Sequence, residues 1–321
     1  MDGAMRIPDV MTIGEFSDAC GVGQREPVPR QGGSTRDVHV LDVGQFGLST
    51  LGVAFPVQVH LPPDYEKSGQ RYPLLYMLDG QNSFDCATAF LGRAWDADKT
   101  HDRLLMQGRI RPFVIASVWS VPVALASPPP SRGYSREELY SPVAEPMLGG
   151  VGGQLGLFER LLFEEIEPRL RRDFRLLDGH EHTGVLGSSL GGLAAVNLAL
   201  RNPGRFGCAA AMSPALYWAD RCTLRAAQQP ASARQRVWLD IGADEDVIEF
   251  EGKPLRLSEL PGFEHPGGKS GEQDIQELAQ ALGRHGHEVR TLVAPGGRHD
   301  EPSWGRRLPE VLAWLFPPIA S

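Results

Sequence analysis

Three short stretches of the 321-residue sequence carry residue types that can do covalent chemistry together. Gly187-Ser188-Ser189-Leu190-Gly191 satisfies G-x-S-x-G with Ser189 at its centre. In that pattern the serine sits on a sharp strand-to-helix turn; the small flanking residues let the backbone pack closely while the hydroxyl projects above a sheet. Centring the pattern on Ser188 would put Leu186 and Ser189 at the flanks, where neither relieves crowding, so the spacing selects Ser189. The same pentapeptide occurs in plain Gly/Ser turns, but here an apolar strand precedes it and a helix-forming run, LGGLAAVNLALRN, follows it. A helix start also supplies unpaired N–H groups and the positive end of a dipole.

A serine hydroxyl becomes nucleophilic when a base removes its proton, and the base needs an acid to hold its tautomer and stabilise its cation. After this type of turn the acid and then the histidine are expected downstream, each behind a later strand. The segment GADED follows the apolar run RVWLDIG and offers Asp244, Glu245 and Asp246, among which these residues alone do not choose. His299, in PGGRHDEPSW, follows the run EVRTLVA and precedes the last helix. Position separates it from the other eight of the nine histidines. His285 and His287 lie at the wrong end of the last strand, and His180 and His182 precede the nucleophile strand. As a metal pair, the H-x-H of His180 and His182 has no matching cysteine or carboxylate cluster and reads as a solvated loop. His39, His60, His101 and His265 have no strand-end context pointing to the site.

The developing oxyanion needs two N–H donors. One is expected from Leu190, the residue after the nucleophile; the other from Gln81, in the loop of LLYMLDGQNSFD where Gly80 permits an unusual turn. By mutational precedent such donors are worth about 3–4 kcal/mol each.

The elements that must position these groups alternate. DVHVLDV and FPVQVHL read as a hairpin-like pair of half-buried strands, whereas PLLYMLD and PFVIASVW are continuously apolar and fit strands buried on both faces of a parallel sheet. Phe158 to Leu170 reads as an amphipathic helix. Then follow the strand TGVLG, a helix, the strands FGCAAAMS and RVWLDIG, a helix from about Glu272 to Arg284, the strand EVRTLVA and a final helix from about Pro302 to Leu315. This rhythm predicts an α/β fold with a mainly parallel central sheet, helices on both faces and the site at the carboxyl ends of the strands. Residues 1–35 lack periodicity and are expected to be a poorly ordered arm, followed by a single domain over 36–321. Long loops at 121–153 and 250–271 are candidate walls of a cleft.

Composition narrows the partners. A net charge of −8, with no standout Lys/Arg cluster, argues against nucleic acid or an anionic membrane surface. No apolar run reaches the roughly 20 residues that span a bilayer, and the N-terminus lacks a signal-peptide pattern, so a cytoplasmic location is expected. Cys20, Cys86, Cys208 and Cys222 are scattered without a C-x-x-C, which disfavours a zinc ribbon or redox motif.

Together VHLPPDY, YPLLYMLDGQNSFD, REELYSP, FEEIEP, GSSLGG, WLDIGADED and GGRHDEPSW resemble the putative esterase family of α/β-hydrolases, over roughly residues 36 to 316. This family includes esterase D, enterochelin esterases, feruloyl esterases and mycolyltransferases. The resemblance implies an α/β-hydrolase fold, Ser189 as nucleophile, His299 as general base, and the N–H groups of Gln81 and Leu190 as oxyanion donors. It also implies an acid three residues beyond Gly242, which is Glu245, with Asp244 and Asp246 as alternatives. Arg136 and Tyr140 match an R-x-x-x-Y element near the cleft and are candidate substrate or scaffold residues. Trp119 stands where an Asn often ends the fourth strand and is a candidate substrate contact; Cys86 stands where proline is more usual. The expected activity is hydrolysis of a small-molecule carboxylic ester through an acyl-enzyme, without metal or organic cofactor. Thioester hydrolysis and acyl transfer would use the same groups, and a non-catalytic binding protein on the same fold would lack one of them.

Overall fold

The computed structural model describes residues 34–37, 39–48, 53–120, 123–124, 134–230, 232–250, 253–256 and 270–319. The expected N-terminal arm lies outside these residues apart from Ser34 and Thr35, as do 121–122 and 125–133 of the first long loop and 251–252 and 257–269 of the second.

The strands are β1 (Val40–Phe46), β2 (Val53–His60), β3 (Leu74–Leu78), β4 (Val114–Val118), β5 (Val123–Ala124), β6 (Ala144–Glu145), β7 (Val151–Gly152), β8 (Thr183–Ser188), β9 (Cys208–Met212), β10 (Arg236–Gly242), β11 (Val247–Phe250), β12 (Lys253–Arg256) and β13 (Glu288–Ala294). Helices are α1 (Ala97–Met106), α2 (Arg136–Tyr140), α3 (a continuous run over 155–173), α4 (Leu190–Arg201), α5 (Trp218–Ala226), α6 (Gly271–Arg284) and α7 (Glu301–Leu315). The main sheet has the order β1-β2-β4-β3-β8-β9-β10-β13, with β5 on β2. From β4 to β13 neighbours run parallel, while β1–β2 and β2–β4 are antiparallel.

Strand β3 shows why its sequence is apolar throughout. Leu74, Tyr76 and Leu78 enter one core, shared with α3 and α4; Leu75 and Met77 enter the other, shared with α1 and α7. A strand buried on both faces has no polar phase to alternate with. The chain leaves β3 for β4 on one side and later returns to β8 on the other, so the carboxyl ends of these three strands flank a topological switch point, the usual place for a ligand crevice.

Within α3 the turn Leu161–Ile166 is π-helical and leads into Pro168. Proline has no N–H to donate and crowds the carbonyl four residues back, and the wider turn accommodates that misfit. Elements that carried no clear pattern in the sequence are α1, α2, α5 and the small pairs β6–β7 and β11–β12. Among the described residues Cys86, Cys208 and Cys222 are free thiols. No helix of the described residues is long and apolar enough to cross a membrane.

Candidate active site

Ser189 joins β8 to α4 with φ 53° and ψ −123°, a conformation a non-glycine residue holds only when its surroundings impose it. The surroundings are backbone contacts: Ser189 N–H donates to Met212 O (3.0 Å), and Ser189 O accepts from Leu193 N (3.0 Å) and Ala215 N (3.1 Å). The pentapeptide's glycines are explained by space. A Cβ on Gly187 would lie 2.3 Å from Gly191 O, and one on Gly191 would lie 2.6 Å from Asp79 Oδ2. Ser188, by contrast, is a buried strand residue paired with Met212.

His299 follows β13, one residue before Asp300, whose side chain caps α7 by accepting from Ser303 N (2.8 Å). Its Nε2 is 2.9 Å from Ser189 Oγ, and its Nδ1 is 2.5 Å from Glu245 Oε2. An ionised carboxylate can only accept, so Nδ1 carries the proton and Nε2 presents its lone pair to the serine hydroxyl. The turns carrying Glu245 and His299 are stitched together by Ala243 N to Ala294 O (2.9 Å) and Asp244 N to Gly297 O (2.9 Å). A Cβ on Gly242 would fall 2.2 Å from Gly297 O, so the approach requires glycine there.

Glu245 is held from both sides, its Oε1 accepting from Ser213 Oγ (2.6 Å) and from Gly242 N (2.7 Å). Burial pushes its carboxyl up, but the hydrogen bonds from His299, Ser213 and Gly242 outweigh this and keep it below the ordinary glutamate value. Asp244 and Asp246 instead pair with Arg256 on β12 at 3.0 and 2.7 Å.

Gln81 lies in the short 3-10 turn Gly80–Asn82, entered through Asp79 in the left-handed region (φ 56°, ψ 46°). A Cβ on Gly80 would meet the Val118 carbonyl carbon at 2.7 Å, so the turn packs directly on the end of β4. The Gln81 side chain is tied back to Ser120 (Nε2 to Oγ 3.0 Å; Ser120 N to Oε1 3.1 Å). Leu190 begins α4, where an N–H has no acceptor within the helix. Arg136 forks onto Asp79, with Nε to Oδ1 at 2.7 Å and Nη2 to Oδ2 at 2.6 Å, and Nη2 also reaches Ser188 O at 3.2 Å. The Tyr140 hydroxyl accepts from Asp79 N at 3.1 Å. Arg136 and Tyr140 therefore brace the two turns that carry Gln81 and Ser189. Trp119, half-buried, donates from Nε1 to Gln58 Oε1 at 3.4 Å.

Two further groups border the row without any motif to announce them. Glu301, the first residue of α7 and 8% exposed, has its carboxyl pushed up to about 7 by burial, with Asp79 adding to the shift and Arg136 and His299 opposing it. Ser213, with φ 45°, donates to Glu245 and accepts from Trp304 Nε1 (2.9 Å) and Arg307 Nη2 (2.7 Å). Apart from the row, His180 and His182 lie in a 3-10 turn before β8, and His287 Nδ1 accepts from Gln235 N at 3.2 Å. His60, His101 and Asp102 converge elsewhere, in an arrangement that could hold a metal.

A strained strand-to-helix turn at the switch point of a mainly parallel sheet, with helices on both faces, defines the α/β-hydrolase fold. A family model described as "Putative esterase" matches residues 49–315, and the chain belongs to that family. Among curated proteins it is similar to an endo-1,4-beta-xylanase/feruloyl esterase of Xylanibacter ruminicola, 21% identical over 275 residues, covering 84% of this chain and 30% of the relative. It is also similar to the ferri-bacillibactin esterase BesA of Bacillus subtilis, 27% identical over 154 residues, covering 46% of this chain and 49% of the relative. The matches thus span less than half the length of either relative. Among solved structures, the siderophore hydrolase EstB from Aspergillus nidulans superposes with a TM-score of 0.65 at 16% identity, covering 90% of this chain and 99% of that one. The BES protein from Bacillus cereus gives 0.63 at 17% identity, covering 91% and 99%. These likenesses show the fold.

Proposed function

We propose that the chain is a serine carboxylic ester hydrolase in which Ser189, His299 and Glu245 act as nucleophile, general base and orienting acid. The observation that carries this reading is the hydrogen-bonded row from Ser189 Oγ through His299 to Glu245. His299 Nε2 takes the hydroxyl proton as Oγ bonds to the ester carbonyl carbon, and the oxyanion rests on the N–H groups of Gln81 and Leu190. Collapse breaks the bond to the alcohol oxygen, to which His299 returns the proton. Water then attacks the acyl-enzyme by the same steps and releases the acid. The His299 side chain is 43% exposed, so solvent reaches the base, which supports water as acceptor.

The names of the two curated relatives make a feruloyl ester and ferri-bacillibactin the first substrates to offer. Labelling with a fluorophosphonate tests the chemistry: label on the wild type, lost in Ser189→Ala and kept in Ser188→Ala, is the expected result. A wild type that takes no label would overturn it.

A further inference from the structure

The chain holds a second cluster of chemically capable side chains, at the end of the sheet away from Ser189. His60 ends β2 and pairs with Ile115 near the start of β4, whereas the catalytic turns lie beyond Leu78, Val118 and Ser188 at the strands' other ends. His101 and Asp102 come from α1; Asp37 and His39 precede β1.

We infer that His60, His101 and Asp102, together with His39, form a binding site for a single zinc-class divalent transition-metal ion. The three donor atoms form a compact triangle. His60 Nε2 and His101 Nδ1 are 3.3 Å apart, and each is 3.0 Å from Asp102 Oδ1. A tetrahedral zinc ion with bonds near 2.0–2.1 Å separates neighbouring ligand atoms by about 3.3 Å, so the three atoms match one face of its coordination shell.

Without a metal the cluster is crowded. Either Asp102 Oδ1 accepts from both rings at once, leaving two N–H groups 3.3 Å apart, or one ring accepts from the other and turns its lone pair toward the carboxylate oxygen 3.0 Å away. Both imidazoles are fully buried, with His101 edge-on to Phe113 (ring centroids 4.6 Å) and Phe84 6.2 Å from His60, so water does not relieve the crowding. A cation shared by three lone pairs does. Three buried polar atoms in this neighbourhood, His60 Nδ1, His101 Nε2 and Asp98 Oδ1, have no hydrogen-bond partner, while Asp98 Oδ2 accepts from Asp37 N at 2.7 Å.

His39 stands nearby as a fourth ligand. Asp37, His39 and Asp102 form a second set of donor atoms, all within 4.8 Å of one another, which shares Asp102 with the first. The His39 ring stands 6.5 Å from the His60 ring, and its Nδ1 is 2.8 Å from Asp37 Oδ1, a carboxylate able to orient it. Imidazole and carboxylate together suit zinc, whereas magnesium and calcium prefer oxygen shells. The ion would tie the segment before β1 to β2 and α1, a structural role separate from Ser189.

The test uses the full chain, stripped with chelator and loaded with zinc or cobalt(II) alone. The expected result is one equivalent of zinc retained through gel filtration, a cobalt(II) form with the intense visible bands of a tetrahedral site, and a melting temperature raised by zinc. Asp102→Asn and His101→Gln should lose the bound equivalent, and His39→Gln should bind at least tenfold more weakly, while fluorophosphonate labelling of Ser189 persists in the His39 variant. A wild type that retains no metal overturns the inference whether or not the buried variants fold. So does retention unchanged in folded Asp102→Asn, or an octahedral cobalt spectrum.

Discussion

Replacing Arg136 by Met removes a guanidinium fork and leaves the Asp79 carboxylate, whose side chain is 3% exposed, without its partner. Removing one member of a buried ion pair costs about 3–5 kcal/mol, because the survivor keeps its desolvation penalty. Two charge-assisted bonds at 2.7 and 2.6 Å argue for the upper part of that range. Against this, the Arg136 side chain is 28% exposed, so water can enter the vacated space and partly solvate the carboxylate. The expected loss is therefore about 3 kcal/mol, survivable for a protein whose total stability is about 5–15 kcal/mol. Asp79→Asn keeps the size and an acceptor but removes the charge, and in the double variant no unpaired charge remains. The double variant should thus be less destabilised than the sum of the single variants by about 2 kcal/mol in urea unfolding at neutral pH. Arg136→Lys is the second arm: it keeps the charge but cannot make the fork. It should lower kcat by roughly ten- to a hundredfold with KM little changed, since the turns carrying Gln81 and Ser189 shift relative to each other. Additive single effects, or a Lys variant with wild-type kcat, would refute the bracing role.

Other outcomes follow from the same geometry. Glu245→Gln should lower kcat by up to about 10⁴-fold, whereas Asp244→Asn and Asp246→Asn, which disturb the pairing with Arg256, should stay within about threefold in a steady-state ester assay. The Glu301 carboxyl, raised from 4.5 to about 7, binds more protons folded than unfolded. Its contribution is therefore complete below about 4.5 and is lost as pH rises to about 7, a swing of about 3 kcal/mol that Glu301→Gln should flatten in unfolding measured across that window. Glu245 works in the opposite sense: its lowered carboxyl stabilises above the ordinary glutamate value and loses that contribution as pH falls, so Glu245→Gln should remove part of the acid sensitivity. Gly242→Ala should cost both stability and kcat, because the new methyl would overlap the Gly297 carbonyl that brings the acid and base turns together.

What was legible in the sequence was what local pattern determines. The apolar runs at β3 and β4, the order of the later strands and helices, and the position of Ser189 and His299 behind their strands all follow from periodicity and from turn chemistry. Helix α1 was not legible, because the residues it buries include Asp98, Thr100 and His101 beside Leu104, so its inner face carries no apolar stripe. The structure gives a reason: that polar face meets His60 and the segment before β1 rather than hydrocarbon alone. Helix α5 was hidden for another reason, since Ala219, Asp220 and Arg221 have positive φ inside the helical run. The residues alone leave Asp244, Glu245 and Asp246 open, and the choice of Glu245 comes from the family resemblance; in the structure the turn after Gly242 brings Glu245 to His299, while Arg256 holds Asp244 and Asp246. Arg136 announced itself only as part of an R-x-x-x-Y pattern, and its partner Asp79 is 57 residues away.

Besides Gly242 N, the support behind the row is reached from one helix. His299 stands just before the α7 cap, and Trp304 and Arg307, one turn and two turns in, both reach Ser213, which in turn donates to Glu245. Exposure falls inward along this line, from 43% at the His299 side chain to 16% at Glu245, 6% at Arg307 and none at Asp240. Charge alternates along it as well: Arg307 lies 3.9 Å from Glu245 and 3.1 Å from Asp240. Burial pushes the Asp240 carboxyl up to about 6, and Arg307 is the largest influence opposing that rise. If Glu245 is the acid behind His299, as proposed, a fixed cation and fixed hydrogen bonds keep it ionised where water is scarce at its inner side. Because α7 supplies those supports and begins directly after His299, its packing positions Glu245 and His299 together. A loosened α7 would therefore lose both together.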